Sequence, residues 1–357
     1  MMSARFSLLS AALMLAVLNA DASAAEPMSQ AERKAIESRI ADLKEEMSAL
    51  QRQLADADGE RPQDAALSET IPAQQLTDAV DERRQLERES AQNPFAITTH
   101  RRNYWFPLSY NASPNNEAFQ NVSERDALDR AEMKFQFSAK FNLVEDLFGD
   151  YGGDLHFAYT QRSWWQAFNT DASSPFRETN YEPEVFLDFE NHMSLLGWTN
   201  TNNRLALNHH SNGRSDPLSR SWNRLILEST LVNDDWALIL APHWRIPESK
   251  EDDDNPDIHK YLGYGDITLA HRFNGDNELS LMLRGYPSDG NMGTQVDYSV
   301  PLFGSIRGHL QYYYGYGESL IDYDERSHRL SLGFSLNPLF PGAVWSANPD
   351  PIQGQVH

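Results

Sequence analysis

The segment LALNHHSNGRSDPLSRSWNRLIL, from Leu205 to Leu227, holds the residue types that could do chemistry. Read as two extended strands joined by a turn centred near Asp216, it places residues by parity, since side chains alternate between the two faces of a strand. His209 and Ser211 then share a face with Leu205 and Leu207, while Asn223 shares a face with Leu225 and Leu227 and comes opposite His209 or Ser211. Leucines mark that face as the apolar one. A serine beside a histidine is a nucleophile beside its base: His209 can take the Ser211 proton on one ring nitrogen while the other donates to the Asn223 amide oxygen, which fixes the tautomer. An aspartate would stabilise the imidazolium better, but an anion facing hydrocarbon costs more, so asparagine is a reasonable compromise. His210, of opposite parity, belongs to the other face.

The elements that must carry this cluster have period two. Phe135, Phe137, Ala139 and Phe141 alternate with Lys134, Gln136, Ser138 and Lys140; Leu155, Phe157 and Tyr159, then Leu279, Leu281 and Leu283, then Leu330, Leu332, Phe334 and Leu336 repeat the pattern. About twelve such segments, each roughly ten residues long, start near 98, 130, 153, 182, 203, 219, 235, 258, 277, 293, 306 and 328, separated by Gly, Pro, Asn and Asp. Similar alternation suits a soluble β-sandwich. Three features favour an all-β, antiparallel transmembrane barrel of about twelve strands: an exported amino terminus, strands long enough to cross, and leucine-rich faces. Trp and Tyr are frequent enough to form interfacial girdles, and the last strand ends in Phe340.

Residues 1–24 read as a secretory signal peptide, with Arg5 ahead of a short apolar run and Ala22-Ser23-Ala24 as its cleavage pattern. No later run approaches the ~18 apolar residues of a membrane helix, so any span must be a closed barrel. Residues 25–92 read as a periplasmic segment. Ile36, Ile40, Leu43, Met47, Leu50 and Leu54 form a seam of about three heptads, suited to a coiled coil or to one amphipathic helix lying on another surface, and a polar linker follows. The barrel is expected over 93–340 and a tail over 341–357. If the amino-terminal helix is periplasmic, loops 169–181 and 212–219 face outward and the serine–histidine–asparagine cluster lies near the outer leaflet. Absence of cysteine rules out thiolate metal sites and disulfide scaffolds. A formal charge of −22 argues against nucleic acid as a partner and suits divalent cations.

HHSNGRSDPLSRSWNR resembles the signature of the outer membrane phospholipase A family, a His-x-Ser-Asn-Gly strand end followed by a Ser-Arg-Ser-Trp-Asn-Arg strand start. The resemblance extends over YTQRSWWQ (Tyr159 to Gln166), SSPFRETNYEPE (Ser173 to Glu184), NPDIHKYLGYG (Asn255 to Gly265) and GYGESLIDY (Gly315 to Tyr323), and covers nearly everything from Asn93 to Phe340. It implies a twelve-stranded outer-membrane enzyme that hydrolyses both the sn-1 and sn-2 acyl esters of phospholipids and lysophospholipids, with Ca2+ as cofactor and homodimerisation as the switch. Carried over position by position, Ser211 is the nucleophile, His209 the base and Asn223 its orienter. The calcium ligands correspond to the side chains of Ser173 and Ser219 and to the main-chain carbonyl of Arg214 from a second subunit. Such an oxygen-only set suits a hard cation, whose task would be to support the oxyanion beside the Gly213 N–H. Gln161 matches a polar dimer-interface residue. Parity agrees, because Gln161 follows Leu155, Phe157 and Tyr159 on the apolar face, where an amide needs a partner.

Two features depart from the family. Histidine at 210 stands where a small or acidic residue is expected, and a lumen-facing change should be tolerated there. The heptad segment and the tail lie outside the family core, and a coiled coil would hold two subunits together, or tether the barrel, before any cation arrives. The rival reading is a catalytically silent structural or channel-forming barrel, for which a twelve-strand lumen filled by Arg, Glu, Gln and Tyr is too plugged.

Overall fold

The computed structural model describes residues 98–117, 128–251, 253–273 and 276–336. The signal peptide, heptads, linker, Phe340 and tail therefore lie outside the described residues. Fourteen extended segments make one sheet; two of them, Thr98–Thr99 and Ser194–Leu195, are two-residue pairs beside the ring, which leaves twelve full strands. They are β1 Tyr104–Asn111, β2 Ala131–Val144, β3 Asp154–Trp165, β4 Phe176–Glu190, β5 Trp198–Ser211 and β6 Ser221–Asn233, then β7 Trp236–Ile246, β8 Gly265–Phe273, β9 Asn277–Tyr286, β10 Asn291–Phe303, β11 Ile306–Gly315 and β12 Ser327–Ser335. Each pairs antiparallel with its chain neighbours, and β12 closes the ring on β1 with Leu330 opposite Tyr110 and Leu332 opposite Leu108. The all-β antiparallel barrel of twelve strands expected from the alternation is the fold observed.

Burial runs inside out compared with a soluble protein. On β5 the residues Leu205, Leu207 and His209 are exposed while Arg204, Ala206, Asn208 and His210 are buried; Leu108, Phe137, Trp244, Ile267, Leu310 and Leu332 are exposed likewise. A leucine side chain left in water forfeits roughly 1.5–3 kcal/mol that burial would supply, so a ring of them facing outward is stable only against lipid. Among the described residues no helix is long and apolar enough to cross a membrane.

Buried ion pairs fill the lumen. Glu132 pairs with Arg177 at 3.1 Å and with Arg329 at 2.6 Å; Arg329 reaches Glu318 at 2.7 Å, and Glu318 takes Lys134 at 3.0 Å. With Arg307, Arg329, Lys134 and Trp164 fully buried, the interior is packed with side chains rather than open to water.

Four strand starts differ from the sequence reading. The segment near 98 contributes only Thr98–Thr99, paired to Lys140 and Ala139, and β1 begins at Tyr104. β4 and β5 begin earlier than expected, at Phe176 and Trp198, because lumen-facing positions accept Arg, Glu, Thr and Asn that elsewhere signal loops. Near 258 the chain forms one helical turn, His259–Leu262, which sets Ile258 and Leu262 against Trp222, Leu320 and Tyr323. β8 begins only after it. Gly263 permits that passage: its φ is +71°, and a Cβ there would lie 1.8 Å from the Gly285 carbonyl oxygen. Long connections, at 166–175, 212–220 and 316–326, gather at one rim, while 234–235 and 304–305 make tight turns at the other.

Candidate active site

β5 and β6 are in a register that sets His209 directly opposite Asn223 and Ser211 opposite Ser221. His209 Nδ1 and Asn223 Oδ1 are 2.8 Å apart on the outer face. If the asparagine oxygen accepts, the imidazole carries its proton on Nδ1 and keeps Nε2 free as a base. Ser211 follows His209 on that face. Among the described residues no hydrogen bond joins its hydroxyl to the imidazole, a contact that in hydrolases tightens with substrate. On the flank away from β6, Tyr181 of β4 stands opposite Ser211. The next β4–β5 pair is Glu184 with Asn208, and between these pairs falls Pro183, which has no N–H for the ladder. On the β6 flank Ile246 of β7 stands opposite Asn223, and just beyond it Glu248 accepts a hydrogen bond from Asn223 Nδ2 at 2.7 Å.

The loop after Ser211 is closed around one buried side chain. Asn212 Oδ1 accepts from the backbone N–H groups of Arg220 and Arg214 at 3.0 and 3.3 Å, and its Nδ2 donates to the Leu218 carbonyl at 2.9 Å. Gly213 sits at φ +64°, with the Tyr181 ring 3.1 Å from where a Cβ would be. The Arg214 guanidinium donates back to β4, to the Arg177 carbonyl at 2.7 Å and the Glu178 carboxylate at 3.3 Å. At the loop's far end the Ser219 hydroxyl donates to Asp254 Oδ2 at 2.6 Å, and the Ser221 N–H donates to the fully buried Asn255 at 2.9 Å. Ser173, exposed at φ +62°, lies on the neighbouring connection of the same rim.

A profile of the phospholipase A1 family matches residues 80–336. The chain belongs to the phospholipase A1 family. It is 40% identical over 248 residues to phospholipase A1 of Proteus vulgaris, covering 70% of this chain and 84% of that one. Among solved structures, the outer membrane phospholipase dimer of Salmonella typhi with bound calcium is similar at TM-score 0.64 and 38% identity, over 70% of this chain and 94% of that one. An asparagine-to-alanine active-site mutant of outer membrane phospholipase A from Escherichia coli has the same TM-score and identity over the same shares. Family membership makes this chain a phospholipase of the outer membrane, and the family match begins ahead of the barrel start expected at Asn93.

Of the family residues expected from sequence, the structure brings His209 and Asn223 into contact, sets Ser211 beside them, and gathers Gly213, Arg214, Ser219 and Ser173 at the same rim. Gln161 finds partners on its own strand. The Tyr159 hydroxyl donates to its Oε1 at 3.2 Å, and its Nε2 donates to Ser163 at 3.3 Å, because residues two apart stand side by side on one face. His210 is a lumen residue, accepting from the Trp222 indole at 3.2 Å. Sequence reading missed Glu248 and Asp254, both in the acidic run ESKEDDDNPD, which reads as solvated loop. Parity along Trp244, Ile246 and Glu248 is the signal that would have found the first.

Among the described residues there is no group of three or more histidine or carboxylate ligands. A cation at this rim would be held by hydroxyls and main-chain carbonyls with Asp254 in support, a set that fits a hard, oxygen-seeking ion.

Proposed function

We propose that this chain is a calcium-dependent serine hydrolase that cleaves sn-1 and sn-2 acyl esters of phospholipids and lysophospholipids and works as a homodimer. The observation that carries the reading is the His209–Asn223 bond of 2.8 Å on the lipid-facing wall with Ser211 beside it. Polar groups on such a wall are costly and mark function. An asparagine of the Escherichia coli enzyme belongs to its active site, and the Salmonella typhi enzyme is a calcium-bound dimer.

In this mechanism a phospholipid's acyl ester lies against the β4–β7 wall. Ser211 Oγ attacks the carbonyl carbon while its proton passes to His209 Nε2, and Asn223 holds the resulting imidazolium through the Nδ1 proton. The Gly213 N–H would donate to the oxyanion. Collapse of the tetrahedral adduct breaks the ester bond, and the imidazolium protonates the departing glycerol oxygen. Water then attacks the acyl-serine, again giving its proton to His209, and the fatty acid leaves with Ser211 regenerated. Ser173 and Ser219, with the carbonyl of Arg214 of the partner subunit, would hold Ca2+, whose chemistry there is positive charge beside the oxyanion.

The long-loop rim is taken to face outward, as in outer-membrane barrels, with short turns in the periplasm. The site then opens on the outer leaflet, and residues 1–24, 25–92, 93–340 and 341–357 are leader, periplasmic segment, barrel and tail. The test is hydrolysis of labelled phospholipid in detergent micelles, with Ca2+ and with chelator, by wild type and Ser211→Ala. Loss of activity in both the variant and the chelated enzyme is expected; an active Ser211→Ala overturns the reading.

A further inference from the structure

Asparagine is a two-faced orienter. Its amide presents an acceptor on one side and donors on the other, and a half-turn exchanges them with little change of shape. If Asn223 turned its NH2 toward His209, the imidazole would have to accept at Nδ1 and carry its proton on Nε2, where it could take nothing from Ser211. The Oδ1 side is the productive one, so whatever holds the other side decides whether the histidine is a base.

Glu248 occupies that other side. Its Oε1 accepts from Asn223 Nδ2 at 2.7 Å, the length of a charge-assisted bond. An ionised carboxylate can only accept, so the amide hydrogens must face it and Oδ1 must face His209. The placement also answers the cost of charge near lipid. Trp244 and Ile246 continue the apolar outer face of β7 opposite Leu225 and Asn223, the strand stops before Pro247, and the carboxylate comes just past that end, at the rim. The anion is thereby kept one amide away from the histidine instead of in the apolar wall. The same residue has one oxygen, Oε2, that is buried and takes no hydrogen bond among the described residues. Burial raises the pKa of this carboxyl, and the Asn223 bond opposes the rise.

We propose that Glu248 is a positioning residue for ester hydrolysis: it locks the Asn223 amide with Oδ1 toward His209 and lends that oxygen part of the negative charge an aspartate would have supplied. The proposal rests on the serine–histidine–asparagine reading above. His209, Asn223 and Glu248 then form a relay in which the neutral amide separates the cation formed during turnover from its counter-charge.

The experiment compares full-length wild type with Ser211→Ala, Glu248→Gln, Glu248→Ala, Asn223→Asp and the double variant Asn223→Asp/Glu248→Gln. All are assayed in micelles with saturating Ca2+ and checked for barrel content by circular dichroism. Glutamine keeps an acceptor oxygen but no charge, and alanine keeps neither. We expect kcat to fall roughly tenfold for Glu248→Gln and toward a hundredfold for Glu248→Ala, the range for groups that orient a catalytic ligand, with KM unchanged. Asn223→Asp alone sets two carboxylates together and should be nearly inactive. In the double variant the amide introduced at position 248 can donate to the carboxylate introduced at position 223, which can in turn accept from His209. Its kcat should therefore exceed that of Asn223→Asp by tenfold or more. A clasp that merely held the rim together would not produce this rescue. Wild-type kcat in both Glu248 variants, or no rescue by the double variant, overturns the proposal while an inactive Ser211→Ala leaves the underlying reading standing. An active Ser211→Ala removes both. Should Glu248→Ala fail to fold, the glutamine variant and the rescue still decide.

Discussion

Ser219 donates its hydroxyl hydrogen to Asp254 at 2.6 Å, so a hydroxyl expected to face a cation already faces a carboxylate. Ser221 reaches the same oxygen at 3.4 Å, and both serines lie at the far end of the turn that leads from Ser211 to Asn223. A carboxylate behind a hydroxyl draws its hydrogen away and turns the oxygen lone pairs outward, which makes a neutral ligand more basic. Asp254→Asn should therefore raise the Ca2+ concentration needed for half-maximal activity by roughly tenfold or more, with the saturated rate little changed. A calcium titration of phospholipid hydrolysis checks this, and an unshifted midpoint would separate Asp254 from cation binding.

Gly213 makes a second prediction about the same turn. Its φ of +64° costs an L-residue about 1–2 kcal/mol, and a Cβ would press on the Tyr181 ring at 3.1 Å. Gly213→Ala should lower kcat by more than the global stability loss explains, because the N–H proposed to meet the oxyanion moves with the backbone. Removal of one oxyanion donor costs roughly 10²–10³ in kcat. The check is kcat measured beside the urea midpoint of the barrel in micelles; a stability loss with full kcat would place the oxyanion donor elsewhere.

The lumen supplies a third. Arg329 bridges Glu132 at 2.6 Å and Glu318 at 2.7 Å, all three buried. Arg329→Met keeps volume but takes one of two cations from each carboxylate, leaving Glu132 with Arg177 and Glu318 with Lys134, and breaking a buried pair costs about 3–5 kcal/mol. The expected result is a large drop in the urea midpoint with the His209 site unchanged per folded molecule. Because the plug is built of such pairs, wild-type barrels in planar bilayers should show no steady conductance; open-channel currents would favour the channel reading.

How far the sequence could be read depended on which face a residue serves. Apolar residues on the lipid face alternate with polar ones on the lumen face, so Phe135 to Phe141 or Leu279 to Leu283 disclose their strands locally. Parity alone set His209, Ser211 and Asn223 on the outer wall. The pattern fades where both faces are polar. Residues 198–203, WTNTNN, look like a loop, yet Thr201 is buried and the run opens β5. Ile258 and Leu262 were drawn into a strand because the i, i+4 spacing of a single helical turn is too short to recognise. Glu248 was hidden for another reason. The role proposed for it depends on the β6–β7 register that brings Ile246 opposite Asn223, which is set at the far end of the hairpin by the two-residue turn between Asn233 and Trp236 rather than by residues near Glu248.

Gln161 tests how two barrels meet. Parity demanded a partner for its amide on the lipid face, and the structure supplies two within the strand, Tyr159 and Ser163, at 3.2 and 3.3 Å. Both bonds are at the long end for their types, and an amide offers two donors and two acceptor lone pairs, so capacity remains for a second barrel. Polar side chains bonded across membrane interfaces contribute about 1–2 kcal/mol at most. Gln161→Ala should therefore weaken the proposed calcium-dependent dimerisation by about tenfold without abolishing it, and the loss should be recovered at higher protein concentration in the micelle. Crosslinking as a function of protein-to-detergent ratio measures this. If the variant dimerises like wild type, the Tyr159–Gln161–Ser163 ladder serves its own strand only, and the interface must be sought on another part of the outer wall.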